Sequence, residues 1–467
     1  MDPYALLDMM CKALDDRAKG VEEYEDWYEG DHPVPPPPSN TYAATDIEAR
    51  RAFENLSRLA VTNFLPPIVD ATASKLRVEG FRFSSAPTSS DAEAWAIWQR
   101  NFLDADQALV HVGALAVGQA TAIVWTGADG LAEITCEDPE QTIVLYAAGS
   151  RRKRLAGLKR WCDDDEHLLA TLYLADAIYK FRSVQPVDKM RPNEDPKVAW
   201  KPREVPGEAW PLPNPLGRVP MVEARVNASL KPERFGGGEP EFEKQINLQR
   251  QINATTLAML TTMEHQAFRQ RWVVGWEAPT NPDGTPDRYA LLKAAAGKLW
   301  TFDDPDVKVG EFAQADLRPF LEVNLATVKA MAATSATPPY AFLIGDMVNV
   351  AADSLARIEG AHTAKVRAHA ATFSEFWQEV LSLGLQVEGN PKWTDTATSV
   401  VWGDIEQRTA TEQIGVAQAL KNLGAPSEAV FAALPDVDQA TAARWAREAR
   451  AAQLVANAAA PIPPVAR

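Results

Sequence analysis

Six histidines, three cysteines and 63 acidic side chains are the groups in this 467-residue chain that could do chemistry. The histidines are His32, His111, His167, His265, His362 and His369. The last two stand about two turns apart on a helix, too far for one metal ion, and read as core or solvated side chains. Cys11, Cys136 and Cys162 are odd in number and widely spaced. No disulfide framework or thiolate zinc site follows, and a reducing compartment is expected. The run Asp163-Asp164-Asp165-Glu166 offers carboxylates of the kind a metal-dependent nuclease uses. Consecutive residues on a turn cannot all converge on one ion, so a solvated connection between strands is expected. Residues 281–287 (Asn-Pro-Asp-Gly-Thr-Pro-Asp) loosely resemble a calcium loop, but the glycine is early and no closing glutamate follows. Gly236-Gly237-Gly238 ahead of a helix invites a phosphate, yet Glu239, Glu241 and Glu243 would repel one, and a hinge is the better reading. HExxH and a glycine-rich loop ending in Lys-Ser/Thr are both missing. The sequence therefore predicts no enzyme, no metal and no cofactor.

The elements that would position such groups follow from periodicity and breakers. Hydrophobic residues at 46% and charged residues at 24% are ordinary for globular protein. The length implies two to four packed units. A net charge of -16 argues against gripping nucleic acid through its phosphates, because that affinity comes from Lys and Arg displacing counterions. The acidic start Met1-Asp2-Pro3 is no secretory signal, and the longest apolar stretch, 110–125, is too short to span a bilayer, so a soluble intracellular product is expected. Helical patterns are predicted over 3–29, 46–76 with a bend or break near Pro66-Pro67, and 91–118 opened by Ser90 or Asp91. Pro33 to Pro38 reads as an extended strap. Short apolar runs at 122–125, 142–146, 168–174 and 178–182 predict a mostly antiparallel β region, and 185–220, with Trp200 and Trp210 among many prolines, an irregular excursion.

After the triple glycine, Pro240 fits a first helical turn, and about 30 residues without a breaker give a rod of roughly 45 Å. Its flanks are neutral and polar (Gln245, Asn247, Gln249, Gln251, Asn253), where a solitary surface helix would be charged. A small α/β module follows, with strands at 271–276, 298–302 and 307–312 around a short helix at 287–296. The chain returns through a second helix with Asp316 as N-cap. After an apolar stretch at 340–350 come a long helix from 351 to about 385 and an alanine-rich helical end with a disordered tail.

In their order, these features resemble the portal (head-to-tail connector) proteins of tailed bacteriophages, especially those of long-tailed actinobacteriophages. The matching stretches are 63–83, 98–125 with Asn101, Leu103, Asp104, His111, Ala114 and Gly118, and Glu137-Asp138-Pro139. Leu172-Tyr173-Leu174, Asn214-Pro215-Leu216-Gly217, Val219-Pro220, Ala336-Thr337-Pro338-Pro339 and Trp402-Gly403-Asp404 continue the series. The helix–tip–helix arrangement in the middle adds to it.

The resemblance implies an α+β, mainly α-helical portal fold of wing, stem, clip and crown, forming a ring-shaped homo-oligomer of about twelve copies. It maps the wing to 1–235, a first stem helix to 236–270, the clip to 271–315 and a second stem helix to 316–336. A channel loop would occupy 337–350, a long wing helix and its return 351–400, and crown helices with a disordered tail 401–467. The family departs here in one place, since relatives often carry a glycine-rich turn ending in Ser where this chain has Gly238-Glu239-Pro240. The implied function is a non-enzymatic passage for DNA packaging and ejection at one capsid vertex of the virion, assembled in the host cytoplasm. Implied partners are the terminase large subunit, head-tail adaptors, major capsid and scaffolding proteins, and double-stranded DNA without sequence specificity; no membrane is involved. Lys329, Met347, Val348 and Asn349 would line the channel, and Trp276, Asn281, Asp283, Asp287 and Arg288 would meet terminase and adaptors on the clip. The rival readings are another phage head structural protein and a soluble multidomain hydrolase or nuclease using 163–166.

Overall fold

A computed structural model describes residues 2–35, 46–84, 90–186, 198–230, 235, 237–267, 271–274, 308–311, 315–342, 352–395, 397–406, 410–435, 437 and 439–458. Its helices are α1 (Pro3–Glu29), α2 (Ile47–Leu59), α3 (Pro66–Ala73), α4 (Ala92–Arg100), α5 (Leu103–Val117), α6 (Ile246–Ala267), α7 (Arg318–Thr334), α8 (Ala352–Val387), α9 (Ala410–Asn422), α10 (Ser427–Ala432) and α11 (Gln439–Ala458). Its strands are β1 (Val78–Arg82), β2 (Gln119–Thr126), β3 (Ala132–Glu137), β4 (Thr142–Tyr146), β5 (Arg154–Cys162), β6 (Leu168–Leu174), β7 (Ala177–Ser183), β8 (Trp200–Pro202), β9 (Leu212–Pro213), β10 (Met221–Arg225), β11 (Arg271–Val274), β12 (Lys308–Glu311) and β13 (Ser399–Trp402). The chain divides into two compact units. Met1–His32, Asn63–Asn247 and Ala330–Arg467 make one, and Pro33–Thr62 with Leu248–Lys329 make the other.

In the first unit, α1 begins where the Asp2 carboxylate accepts from the Ala5 amide at 3.2 Å and ends at Gly30, whose φ of 96° only glycine adopts without strain. Its apolar stripe, Leu7, Met10, Cys11 and Leu14, lies on Ile143, Leu145, Leu158, Leu172 and Phe181 of the antiparallel sheet β4-β5-β6-β7-β8. Fully burying one such side chain contributes about 1.5–3 kcal/mol. Alternation along β4 sends Val144 and Tyr146 to the opposite side, against Ile123, Val219 and Met221 of the second sheet region. That second sheet has the order β10-β2-β3, while β1 pairs with β13.

The long helix α8 buries Val366, Phe373, Trp377, Val380 and Leu381. Beside it lies His111 of α5, fully buried, its Nδ1 3.1 Å from the Leu76 carbonyl and its Nε2 accepting from the Trp377 indole at 3.0 Å. An indole nitrogen only donates, so Nε2 must be the acceptor, and the ring is neutral with its proton on Nδ1. Burial holds its pKa down at about 4.

Several expectations change. The break expected near Pro66-Pro67 in the 46–76 stretch is present, but wider than a kink: α2 stops at Leu59 and α3 restarts at Pro66, whose fixed φ suits a first turn. The 91–118 helix is also two, because Asn101 leaves the helix and Phe102 sits at φ 56°. The break frees the Asn101 side chain, which accepts from the Ile134 amide at 2.9 Å and donates to the Ala132 carbonyl at 3.1 Å. Glu388 accepts from the Ala132 amide at 3.2 Å, so the outward edge of β3 is covered by side chains. The proline-rich stretch is less irregular than expected, since β8 and β9 both add to β7. Strands β3, β5 and β10, absent from the sequence reading, complete the sheets.

In the second unit, the Asp316 carboxylate accepts from the Arg318 amide at 3.0 Å ahead of α7, and Asn324 of α7 donates to Thr256 of α6 at 3.0 Å. Gln249 donates to the Thr62 carbonyl at 2.6 Å and to Asn253 at 2.9 Å. Strands β11 and β12 pair antiparallel, Arg271 opposite Glu311, which brings the two ends of the 271–315 segment together. Leu321, Val323 and Leu325 of α7 and Met263 of α6 are exposed. The apolar stretch 343–350, the strand expected at 298–302, the helix at 287–296 and the tail from 459 lie outside the described residues. Among the described residues no helix is long and apolar enough to cross a membrane.

Candidate functional site

The segment leading into α6 is built by close backbone contact. A Cβ on Gly238 would stand 1.9 Å from the Gly118 carbonyl oxygen and 2.7 Å from that of Val226, so only glycine fits. The Glu239 amide donates to Val226 O at 3.0 Å and the Glu241 amide to Leu115 O at 2.8 Å, the latter a carbonyl in the last turn of α5. Residues 238–240 are therefore a pinned non-helical strip that runs into a turn at Glu241 and Phe242, where the sequence suggested a hinge and the first helical turn. Helical structure begins only with a 3-10 turn at Glu243–Gln245 and α6 at Ile246. Pro240 and Phe242 are buried, which anchors the turn against the rest of the unit.

That strip delivers Glu241 to one face of α8. Its Oε2 accepts from His369 Nε2 at 2.8 Å and from Asn227 Nδ2 at 3.1 Å, and its Oε1 lies 3.2 Å from Lys365 Nζ. Burial alone would raise this carboxyl; the His369 hydrogen bond and the Lys365 charge outweigh it and hold the pKa at about 2. Lys365, lowered by burial against the pull of Glu241, also donates to Ser335 O at 2.9 Å and Thr337 Oγ1 at 3.3 Å. One turn back, both ring nitrogens of His362 lie 3.2 Å from carbonyls, those of Ala336 and Ala71. Burial, then the Lys365 charge, lowers its pKa, so the neutral ring donates to one carbonyl at a time. Another turn back, Glu359 takes the Tyr340 hydroxyl and sits 3.3 Å from Lys75. Glu359, His362, Lys365 and His369 thus form one polar stripe on α8, at helical spacing, along the exit of α7. Ala336 turns there at φ 50°.

Of the residues singled out from sequence, Lys329 is exposed on α7. Met347, Val348 and Asn349, and likewise Trp276, Asn281, Asp283, Asp287 and Arg288, lie outside the described residues. The acidic run 163–166 is the turn between β5 and β6. Asp163 Oδ1 accepts from the amides of Asp165 at 3.1 Å and His167 at 2.8 Å, and its Oδ2 pairs with Arg182 at 3.3 Å. Among the described residues no three His, Cys, Asp or Glu side chains are placed to share a metal ion.

The model of one protein family, described as phage portal protein, SPP1 Gp6-like, matches residues 11–454. The chain belongs to the phage portal protein family. Portal proteins of two actinobacteriophages are similar across most of it. That of Mycobacterium phage D29 is 23% identical over 395 residues, covering 83% of this chain and 75% of that protein. That of Mycobacterium phage L5 is 21% identical over 401 residues, with the same coverages of 83% and 75%. Among solved structures, a chain from the neck of a native gene transfer agent particle, computed with C12 symmetry, is 13% identical with a TM-score of 0.43 and matches over 80% of this chain and 85% of that one. A chain from the virion of the native particle gives 12% and 0.44, over 86% and 95%. As a portal protein the chain is a structural component of the phage particle, with the mainly helical α+β fold described above.

Proposed function

We propose that this portal protein assembles into a ring of about twelve copies at one capsid vertex and forms the passage through which double-stranded DNA is packaged and ejected. The observation that carries the ring is the surface of α7. Leu321 and Leu325, one turn apart on α7, remain exposed, as do Val323 on another side of the helix and Met263 of α6, apolar side chains that a lone chain leaves in water. Heterologous contact between copies, each helix pair against the next, covers such side chains and closes into a ring. An acidic molecule suits a conduit, because a wall that denies phosphates a strong site lets duplex slide.

In this reading α6 and α7 are the stem, 271–315 the clip and 337–350 the channel loop, with wing and crown on either side in sequence. Lys329 contributes a sparse ring of positive charge, and Met347, Val348 and Asn349 meet DNA by shape. Trp276, Asn281, Asp283, Asp287 and Arg288 receive terminase, whose own motor hydrolyses ATP, and later the head-tail adaptors. Scaffolding and major capsid proteins surround the ring during assembly in the host cytoplasm.

Native mass spectrometry with negative-stain class averages tests the ring. Twelve chains of 51.1 kDa give about 613 kDa with a central hole. A chain that stays monomeric when scaffolding protein is supplied would count against it. For the clip, substituting residues 281–287 should abolish terminase capture in a pulldown; unchanged capture removes that assignment. A photocrosslinker at 348 should react with packaged DNA, and reaction from wing positions instead would remove the loop from the channel.

A further inference from the structure

Lys365 stands where two stretches of chain far apart in sequence meet. An ammonium has three N–H donors. Three acceptors surround this one: Glu241 Oε1 at 3.2 Å on the approach to α6, and Ser335 O at 2.9 Å with Thr337 Oγ1 at 3.3 Å on the exit from α7. The side chains of Lys365 and Glu241 are 13% and 7% exposed, so water cannot replace either partner in place. A buried ammonium that loses its carboxylate is an uncompensated charge; it gives up a proton or swings towards solvent. Swinging withdraws it from Ser335 and Thr337, and deprotonation leaves them with weaker, uncharged N–H donors. Conversely, weakening its hold on Thr337 alters the donor that Glu241 receives.

We infer that Lys365 is a positioning residue that couples the approach to α6 with the exit from α7, so that each segment is set by the state of the other. Coupling of this kind is reciprocal by thermodynamic necessity. The inference rests on the portal reading only for its use. There the two helices are the stem and the exit of α7 opens the channel loop, and a load that shifts one segment reaches the other through this cation as well as through the Gln245 side chain, which donates to Thr334 Oγ1 at 3.4 Å.

Hydrogen exchange on the full-length chain, read by mass spectrometry, tests it. The reporters are amides already bonded at each end. Those of Ser335 and Thr337 donate to Met331 O and Ala332 O, and those of Glu239 and Glu241 to Val226 O and Leu115 O. Glu241→Gln should speed exchange at 335–337 by about tenfold, and Thr337→Val should speed exchange at 239 and 241 by about threefold. The double variant should show less than the product of the two factors, while β5 and β6 stay unchanged as the folding control. If Glu241→Gln also opens β5 and β6, the volume-conserving Thr337→Val carries the test alone. Effects of Thr337→Val confined to its own segment, or factors that multiply independently, overturn the inference. The readout needs no ring, DNA or partner, so its failure would leave the portal reading standing.

Discussion

Two glycines show how differently the same substitution acts. Gly238→Ala places a methyl 1.9 Å from the Gly118 carbonyl, against backbone that cannot yield, and should cost several kcal/mol or prevent folding. Gly415, inside α9, has nothing within 4 Å of a built Cβ, and Gly415→Ala should stabilise by about 0.5–1 kcal/mol. Denaturant midpoints with unchanged slopes would check both. His111 gives a pH prediction. Its folded pKa of about 4 lies below its ordinary 6.5, so as pH falls the unfolded chain takes up the proton first. The stability it contributes is complete above about pH 6.5, is lost towards pH 4 and levels off below, roughly 3 kcal/mol in all. His111→Asn should be less stable at neutral pH yet lose less between pH 7 and 4.5, measured by denaturant unfolding. Equal losses in the two proteins would refute the assignment.

Elements were legible where one periodicity ruled and illegible where a tertiary contact overrode it. The stripe Leu7, Met10 and Leu14 announces α1, and β4 and β6 follow from their apolar runs. The split between α4 and α5 is not visible, because it serves the contact of the Asn101 side chain with β3, more than thirty positions on. From sequence Glu241 is only one of three carboxylates that would repel a phosphate, since its partners Lys365 and His369 lie over a hundred positions away. Phe102 itself is 77% exposed at φ 56°, a conformation costly for a bulky residue. Phe102→Asn, which tolerates that conformation and can cap α5, should raise the stability of the unassembled chain by about 1 kcal/mol. A lowered midpoint in urea unfolding would refute the strain assigned to Phe102. On the sheet side, Leu172→Ala empties the core beneath α1 and should cost about 2–5 kcal/mol, read in the same titration.

Across the whole molecule, a net charge of -16 opposes the gathering of many copies, while in the proposed ring the exposed apolar side chains of α7 would favour it. Raising salt from about 0.05 to 0.5 M should therefore increase the assembled fraction seen by native mass spectrometry or sedimentation, because screening weakens the repulsion and leaves the apolar contact. A falling fraction would place ion pairs at the contact instead. A chain that meets many copies of itself, as the proposed ring requires, also risks joining them wrongly. Strand β3 ends the β10-β2-β3 sheet, and an open strand edge recruits any passing strand, including that of an identical neighbour. Asn101 and Glu388 occupy the outward amides of Ile134 and Ala132 before a neighbour can. Along this edge they oppose strand addition, which grows without limit, whereas the side-by-side helix contact of the proposed ring can close on itself.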